Sequence, residues 1–212
     1  MTSDVGLTGI ILAGGRSRRL GRDKTTMPWP PDGVPATQSH CQTLLEATGA
    51  TLETVCDDVL VVAYRGEQPL PYPVVPDLYA DGGSLGGIYS GLTAAPSDFA
   101  LAVATDMPFL CAPLLRWMAG LPRDYDVLVP VREEPEPLHA IYSKRCLEPM
   151  RHRLEAGRLK ITGFFADVRV RYVEQDTLAS LDPEGLSFFN VNTPEDLAQA
   201  RRILQSRQLS AE

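Results

Sequence analysis

Short runs of Val, Ile, Leu and Ala recur along the chain, and longer amphipathic or loop segments separate them. Continuous apolar runs of this kind are typical of strands covered on both faces, as in a parallel sheet. The predicted strands are Leu7 to Leu12, Asp58 to Tyr64, Tyr72 to Val75, Phe99 to Ala104, Asp126 to Val131, Leu138 to Tyr142 and Arg169 to Glu174.

Helical patterns fill the intervals between these strands. Ser39 is a candidate N-cap for a helix that runs to about Thr54, and Thr193 before Pro194 marks the start of a last helix to about Arg207. The other predicted helices are Leu85 to Ala94, Pro113 to Ala119 and Lys144 to Ala156. Strands that alternate with helices predict right-handed crossovers and one three-layer α/β/α domain, which we assign to residues 1–212. The proline-rich stretch 27–35 is predicted to be a loop, either a flap over a ligand or an ordinary connector.

A glycine pair and a dense group of cations follow the first predicted strand. After Gly14 and Gly15, five of the chain's 20 Lys and Arg residues fall within nine positions, although the net charge is -7. They are Arg16, Arg18, Arg19, Arg22 and Lys24. Glycines let backbone N–H groups approach phosphate oxygens, and the cations supply the opposite charge, so we predict an anion site rather than a solvated basic turn. The spacing matches neither the P-loop nor the G-x-G-x-x-G dinucleotide motif.

Several classes of protein are disfavoured by the rest of the sequence. The net negative charge and the lack of a second basic stripe argue against nucleic-acid binding. The four cysteines form no C-x-x-C pair, so reduced thiols are expected rather than a zinc site or a disulfide framework. No signal-peptide pattern and no long apolar run are present, and we expect a cytoplasmic protein without a membrane span.

The string GIILAGGRSRRLGRDK at 9–24 resembles the signature of nucleotidyltransferases in the nucleotide-diphospho-sugar transferase superfamily. Within that superfamily the sequence is most similar to the molybdenum cofactor guanylyltransferases. Three further blocks agree in order and spacing, and PLHAIY at 137–142 supports the same branch. The blocks are VVPDLYADGGSLGGIYSGL at 74–92, VATDMPFL at 103–110 and FFNVNTPEDL at 188–197. The resemblance implies a Rossmann-like nucleotidyltransferase domain, with the nucleotide in the N-terminal half and the acceptor in the C-terminal half.

The resemblance also implies roles for residues of the nucleotide site. Its backbone cradle corresponds to Leu12, Ala13, Gly14 and Gly15, and its phosphate-binding lysine to Lys24. Arg16 and Arg19 would share the triphosphate charge, whereas Arg18 and Arg22 could equally be solvated. Asp77 would contact guanine, with Asp81 as the rival and a plain turn as the alternative for both. Gly83 and Gly87 would lie against the base.

Asp106 follows the predicted strand Phe99 to Ala104, at the end where open α/β sheets bind ligands. The resemblance implies that this carboxylate binds Mg²⁺, which takes most of its ligands from water and phosphate. The alternative is a helix cap. Arg19, Lys24 and Asp106 are thus the candidate catalytic residues.

The C-terminal half supplies the candidate acceptor residues. Asn190 and Asn192 match the family's N-x-N, and their amides can donate and accept hydrogen bonds. His139, Arg158 and Lys160 are further candidates, although His139 could equally be a structural histidine.

The implied reaction is Mg²⁺-dependent transfer of GMP from GTP to molybdopterin, with or without bound molybdenum. Molybdoenzymes or cofactor-insertion proteins would receive the product. Some family members carry an asparagine after the second strand that contacts the nucleotide, whereas this chain reads Val62-Ala63-Tyr64-Arg65. Guanine selectivity therefore stays open at this point. One alternative reaction is the transfer of another nucleotide to molybdopterin, such as CMP from CTP. Another is nucleotidyl transfer to a sugar phosphate or phospholactate. A third alternative is that the chain is a non-catalytic cofactor-binding assembly protein.

Overall fold

The strands of the described residues form one sheet at the positions that the apolar runs predict. The computed structural model describes residues 6–14, 24–31, 43–64 and 69–209. The strands are β1 (Leu7–Leu12), β2 (Asp58–Val62), β3 (Val74–Val75), β4 (Phe99–Ala104), β5 (Val127–Pro130), β6 (His139–Ser143) and β7 (Val170–Val173). Their spatial order is β3-β2-β1-β4-β6-β5-β7, and β6 alone among these strands runs opposite to the rest. The predicted mostly parallel sheet is confirmed.

Helices cover both faces of this sheet. They are α1 (Leu44–Glu53), α2 (Gly83–Ala94), α3 (Ala112–Ala119), α4 (Leu147–Glu155), α5 (Gln175–Leu181) and α6 (Pro194–Leu209). One buried apolar cluster joins the sheet to α1, α3 and α5, and a second joins it to α2 and α4. The two clusters make the three layers that the alternating pattern predicts. Within the described ranges, none of the helices combines the length and apolar character that a membrane span requires.

The start of α1 and the end of β2 differ from the sequence prediction for local reasons. Helix α1 begins at Leu44, because Thr43 and Glu46 form a reciprocal capping box, with the Glu46 amide donating to Thr43 Oγ1 at 3.2 Å. Ser39, the predicted cap, lies outside the described residues. Strand β2 ends at Val62 rather than Tyr64, because Ala63 adopts a φ of 60°, which leaves the extended region.

A third apolar cluster lies away from the two main faces. Its buried residues are Met27, Trp29, Leu44, Phe109, Val191 and Ala200. They come from the segment after the cationic loop, the start of α1, the loop after β4, the asparagine segment and α6. The described part of the proline-rich stretch is therefore held by packing, and residues 32–35 lie outside the described part of the chain.

Candidate active site

The carboxyl ends of β1, β2 and β4 lie at one edge of the sheet, where Leu12, Ala13, Gly14 and Asp106 of the predicted nucleotide site are found. The Ala13 amide donates to the Val62 carbonyl at 3.0 Å, which joins the end of β1 to the end of β2. On the other side, the buried Thr105 hydroxyl donates to the Leu12 carbonyl at 2.8 Å. These two bonds hold the start of the cradle beside the loop that carries Asp106.

Gly14 is exposed at the end of this cradle, whereas Leu12 is buried and Ala13 half-buried. A Cβ atom added to Gly14 would lie 3.0 Å from Cβ of Ala63, so a larger residue at this position would be in tight contact with the segment after β2. Gly15, Arg16 and Arg19 lie outside the described residues, as do Arg18 and Arg22. The backbone of Lys24 opens a short 3₁₀-helix, Lys24–Thr26, which leads into the third apolar cluster.

Asp106 lies between the buried residues Thr105 and Met107, and its Oδ1 atom is shielded from solvent. Its carbonyl accepts a 2.9 Å hydrogen bond from the Val191 amide, which places the asparagine segment directly beside it. Among the described residues, no group of three or more His, Cys, Asp or Glu side chains forms a metal cage. A single carboxylate of this kind fits Mg²⁺, which commonly binds through one or two carboxylates and the phosphates of a substrate.

Asp77 is held in place by the turn before α2. Its Oδ1 atom accepts the Tyr79 amide at 3.0 Å and lies 3.2 Å from Oγ of Ser90. Ser90 also accepts the Leu78 amide at 2.9 Å, so the turn and the helix are joined at this point. Asp77 therefore has the turn role considered for it, because its Oδ1 atom makes the hydrogen bonds that stabilise the turn. Oδ2 makes no hydrogen bond to a described residue and leaves the carboxylate an acceptor for a ligand. Asp81 is exposed in the same turn.

The two glycines predicted to lie against the base occupy different environments. Gly83 is exposed with a φ of 56°, and no atom lies within 4 Å of an added Cβ, so the space beside it is open. Gly87 is buried, and an added Cβ would lie 3.0 Å from Cδ2 of Leu12. The geometry therefore gives Gly87 a packing role, since it lets α2 approach β1 directly beneath the cradle.

The asparagine segment precedes α6. Asn190 and Asn192 are both exposed, and Asn190 Nδ2 donates to the Phe188 carbonyl at 3.1 Å. Thr193 caps α6 as predicted, because its Oγ1 atom accepts the Asp196 amide at 3.2 Å. Asp196 in turn accepts the amides of Asn192 and Thr193, each at 2.9 Å, and fixes the backbone that carries the second asparagine.

His139 lies in the core and not at the surface. Its side chain is fully buried, its ring centroid is 4.7 Å from that of Phe188, and its Nε2 atom is 3.5 Å from Ser187 Oγ. Burial lowers its pKa from 6.5 to about 3, so the ring is neutral at neutral pH. The structure corrects the prediction of a direct acceptor contact in favour of the structural histidine, because no part of the ring reaches the surface.

Arg158 and Lys160 are exposed after the end of α4. Lys160 lines a cavity of about 360 Å³ together with the loop between β5 and β6. The other lining residues are Glu134, Pro135, Pro137, Ile161 and Thr162. The cavity lies at the carboxyl edge, since β5 ends and β6 begins there. The block PLHAIY at 137–142 includes Pro137, but no cavity was predicted at this loop. Arg158 does not line the cavity.

Comparisons with known proteins agree with this arrangement. Residues 9–169 match the family described as the MobA-like NTP transferase domain. A probable molybdenum cofactor guanylyltransferase from Pelotomaculum thermopropionicum is 39% identical over 202 residues, which cover 94% of each chain. A molybdenum cofactor guanylyltransferase from Desulfosudis oleivorans is 36% identical over 96% of this chain and 98% of its own.

A solved structure gives the same result for the fold. The molybdopterin-guanine dinucleotide biosynthesis protein A from Archaeoglobus fulgidus superposes with a TM-score of 0.78 at 26% identity. The superposition covers 94% of this chain and 99% of that one. The similarity therefore extends over both the cradle and the asparagine segment.

Proposed function

The chain belongs to the MobA-like NTP transferase family, and we propose that it transfers GMP from GTP to molybdopterin, forming molybdopterin guanine dinucleotide and pyrophosphate. The acceptor is molybdopterin with or without bound molybdenum. The observation that carries the proposal is the convergence of three segments at one edge of the sheet. The cradle is joined to the Asp106 loop through Thr105, and that loop to the asparagine segment through Val191.

The nucleotide binds along the cradle in this proposal. The phosphates lie against the exposed backbone at Gly14 and against Gly15, the predicted last residue of the cradle. Lys24, Arg16 and Arg19 neutralise the phosphate charge. The turn at Asp77 and the open space beside Gly83 receive the base. Asp77 Oδ2 can accept from N1–H or N2–H₂ of guanine, a pair of donors that adenine lacks, while Oδ1 stays bonded within the turn.

Asp106 would hold Mg²⁺ against the phosphates, and its single carboxylate beside the cradle fits that role. When bound, the ion would neutralise negative charge on the triphosphate and orient its oxygens. Lys24 and Arg19 stabilise the charge that develops on the leaving pyrophosphate, and the fixed backbone positions the reactants.

The acceptor supplies the nucleophile. An oxygen of its terminal phosphate attacks the α-phosphorus of GTP, the bond from that phosphorus to the β-phosphate oxygen breaks, and pyrophosphate leaves with the electron pair. No side chain needs to form a covalent intermediate. Asn190 and Asn192 orient the acceptor beside Asp106, and Lys160 and Arg158 provide positive charge at its outer end. Molybdoenzymes or cofactor-insertion proteins would then receive the product.

The identity of the nucleotide base is the part of the proposal that has a competing alternative. Ala63 stands directly beside Gly14 and has no polar side-chain atom, so no side chain at this position reads guanine by hydrogen bonding. Cytidylyl transfer from CTP is therefore the competing function.

Calorimetric titration of the purified protein with GTP, CTP and ATP in Mg²⁺ separates the two. We expect GTP to bind at least tenfold more tightly than CTP, which is about 1.4 kcal/mol. Equal or tighter CTP binding contradicts the guanine assignment. Absence of pyrophosphate release with GTP and molybdopterin contradicts catalysis and favours the non-catalytic assembly protein.

A further inference from the structure

A buried polar cluster lies beneath the asparagine segment and is not used by the proposed reaction. Its members are Ser187 and His139, both fully buried, and Asp182, which is 8% exposed. Most buried polar side chains make hydrogen bonds that offset their desolvation. The partners of Ser187 therefore show what the cluster holds together.

Ser187 joins two loops that are distant in the sequence. Its Oγ atom accepts the Cys111 amide at 2.9 Å, and its own amide donates to Asp182 Oδ2 at 2.9 Å. Asp182 Oδ1 also accepts the Leu186 amide at 3.3 Å. Asp182 thus fixes the backbone of Ser187, and the Ser187 hydroxyl fixes that backbone against the loop that follows Asp106.

This contact is one of a series between the same two segments. The Val191 amide donates to the Asp106 carbonyl, and the rings of Phe189 and Phe109 lie 5.7 Å apart. Moving from Val191 back to Ser187, the partners advance from Asp106 to Cys111, so the two segments run side by side in opposite directions. The series fixes the distance between Asp106 and the two asparagines.

We infer that Ser187 is a positioning residue that sets the acceptor asparagines relative to Asp106. The inference rests on the proposed function of those residues. Ser187 touches neither substrate and acts through the backbone of Asn190 and Asn192. It is the member of the series whose polar atom belongs to a side chain. A substitution therefore removes the bond to the Cys111 amide, together with the 3.5 Å contact to His139 Nε2, without changing the backbone. Removing it leaves the Cys111 amide without its partner and frees the segment at one end.

The test compares Ser187→Ala with the unsubstituted protein in steady-state transfer, varying each substrate in turn. Displacing supporting contacts typically costs about 10- to 100-fold. We expect kcat/KM for molybdopterin to fall by about tenfold, in the lower part of that range. The Kd of GTP, measured by calorimetry without acceptor, should stay within about twofold, because the cradle does not depend on Ser187.

A second measurement does not depend on turnover. Amide hydrogen exchange should become about tenfold faster at Cys111, whose amide loses its bond to Ser187 Oγ. It should become about tenfold faster at Val191 as well, because Ser187 anchors the segment whose Val191 amide bonds to the Asp106 carbonyl. The matched control is Thr8→Val, which removes a buried hydroxyl that accepts the Ser97 amide at 3.4 Å at the opposite edge of the sheet. It should change neither the exchange at Val191 nor kcat/KM for molybdopterin.

Each remaining outcome bears on the inference. Unchanged kcat/KM for molybdopterin together with unchanged exchange overturns it. Parallel loss of GTP affinity overturns it as well, because that pattern indicates general destabilisation. If Ser187→Ala does not fold, Ser187→Cys keeps the volume and a weak acceptor, and it should show the same selective effect at smaller size. An unsubstituted protein without transfer activity contradicts the proposed function instead, and the exchange result then still decides whether Ser187 couples the two segments.

Discussion

The Thr105 hydroxyl donates a 2.8 Å hydrogen bond to the Leu12 carbonyl. This bond joins the strand that leads to Asp106 to the strand that leads to the cradle. Both residues are buried, Leu12 as the last residue of β1 and Thr105 as the first residue after β4. The bond fixes the carboxylate and the phosphate cradle relative to each other before a ligand arrives. Such fixed geometry lowers the cost of bringing charged reactants together.

Replacing Thr105 with Val should therefore reduce activity because Asp106 is held less firmly beside the cradle, and not because a group that takes part in the reaction is lost. We expect kcat to fall by about threefold to tenfold and the free energy of unfolding by about 1 kcal/mol, the usual contribution of such a bond. Steady-state kinetics and urea denaturation measure the two effects. Thr93→Val is the control, because its hydroxyl bonds to the Tyr89 carbonyl on the exposed face of α2, and its activity should be unchanged.

Asp106→Asn should abolish transfer while preserving the fold. The substitution keeps the shape but removes the charge that would bind Mg²⁺, so pyrophosphate release should fall by at least about 100-fold. The melting temperature should stay within a few degrees of that of the unsubstituted protein, as checked by circular dichroism. Asp98→Asn, at the exposed opposite edge, should leave the rate unchanged. Turnover by Asp106→Asn at an undiminished rate would remove this residue from the metal site.

Gly86→Ala should destabilise the turn that holds Asp77. A Cβ at this position would lie 2.8 Å from the Tyr79 carbonyl oxygen, a backbone atom that cannot move without breaking the turn. Overpacking of this kind typically costs about 1 to 3 kcal/mol, which urea unfolding would detect. Gly120→Ala is the control, because its nearest contact would be 3.4 Å and its φ is -79°. Equal stability of the two variants would contradict the packing argument.

His139 should make the protein less stable as the pH falls from about 6.5 towards 3. The pKa of His139 is about 3 in the folded state and near 6.5 when unfolded, so only the unfolded state takes up a proton in this window. Above pH 6.5 this protonation does not lower the free energy of unfolding. Below pH 6.5 it lowers that free energy by about 1.4 kcal/mol per pH unit, which amounts to about 2 kcal/mol at pH 5.

Urea unfolding at pH 7 and pH 5 tests this effect. His139→Gln should lose less stability between the two values than the unsubstituted protein does. His152→Gln is the control, because His152 is exposed on α4 and should leave the difference largely unchanged. An identical pH dependence in His139→Gln would show that the ring is not buried in neutral form.

Strands were the most predictable part of this fold. The bounds of β1 and β4 agree with their apolar runs, because both strands are covered on two faces and the sequence pattern directly records that burial. Helix α5 was missed, since it is short and Leu178 is its buried residue, which leaves no helical period to detect. The start of α1 was misplaced because Ser39 and Thr43 are both acceptable caps, and the prediction overlooked the T-x-x-E spacing of Thr43 and Glu46, which forms the capping box at the observed start.

The candidate site shows the same division. Asp106 could be placed at the carboxyl edge because strand order and direction determine which loops meet there. The contacts of Gly87 with Leu12 and of Val191 with Asp106 could not be predicted, since they depend on how elements far apart in the chain pack. The same holds for His139, whose sequence context is equally compatible with a core position and a ligand.

The third apolar cluster has a consequence for engineering. Met27 and Trp29, from the N-terminal half of the chain, share one hydrophobic seam with Val191 and Ala200 from the C-terminal half. Exchanging the C-terminal segment alone between homologues would therefore replace one side of this packing and not the other. A chimera that joins mismatched sides would have a void or a clash in the seam, so a stable graft has to transfer both sides together.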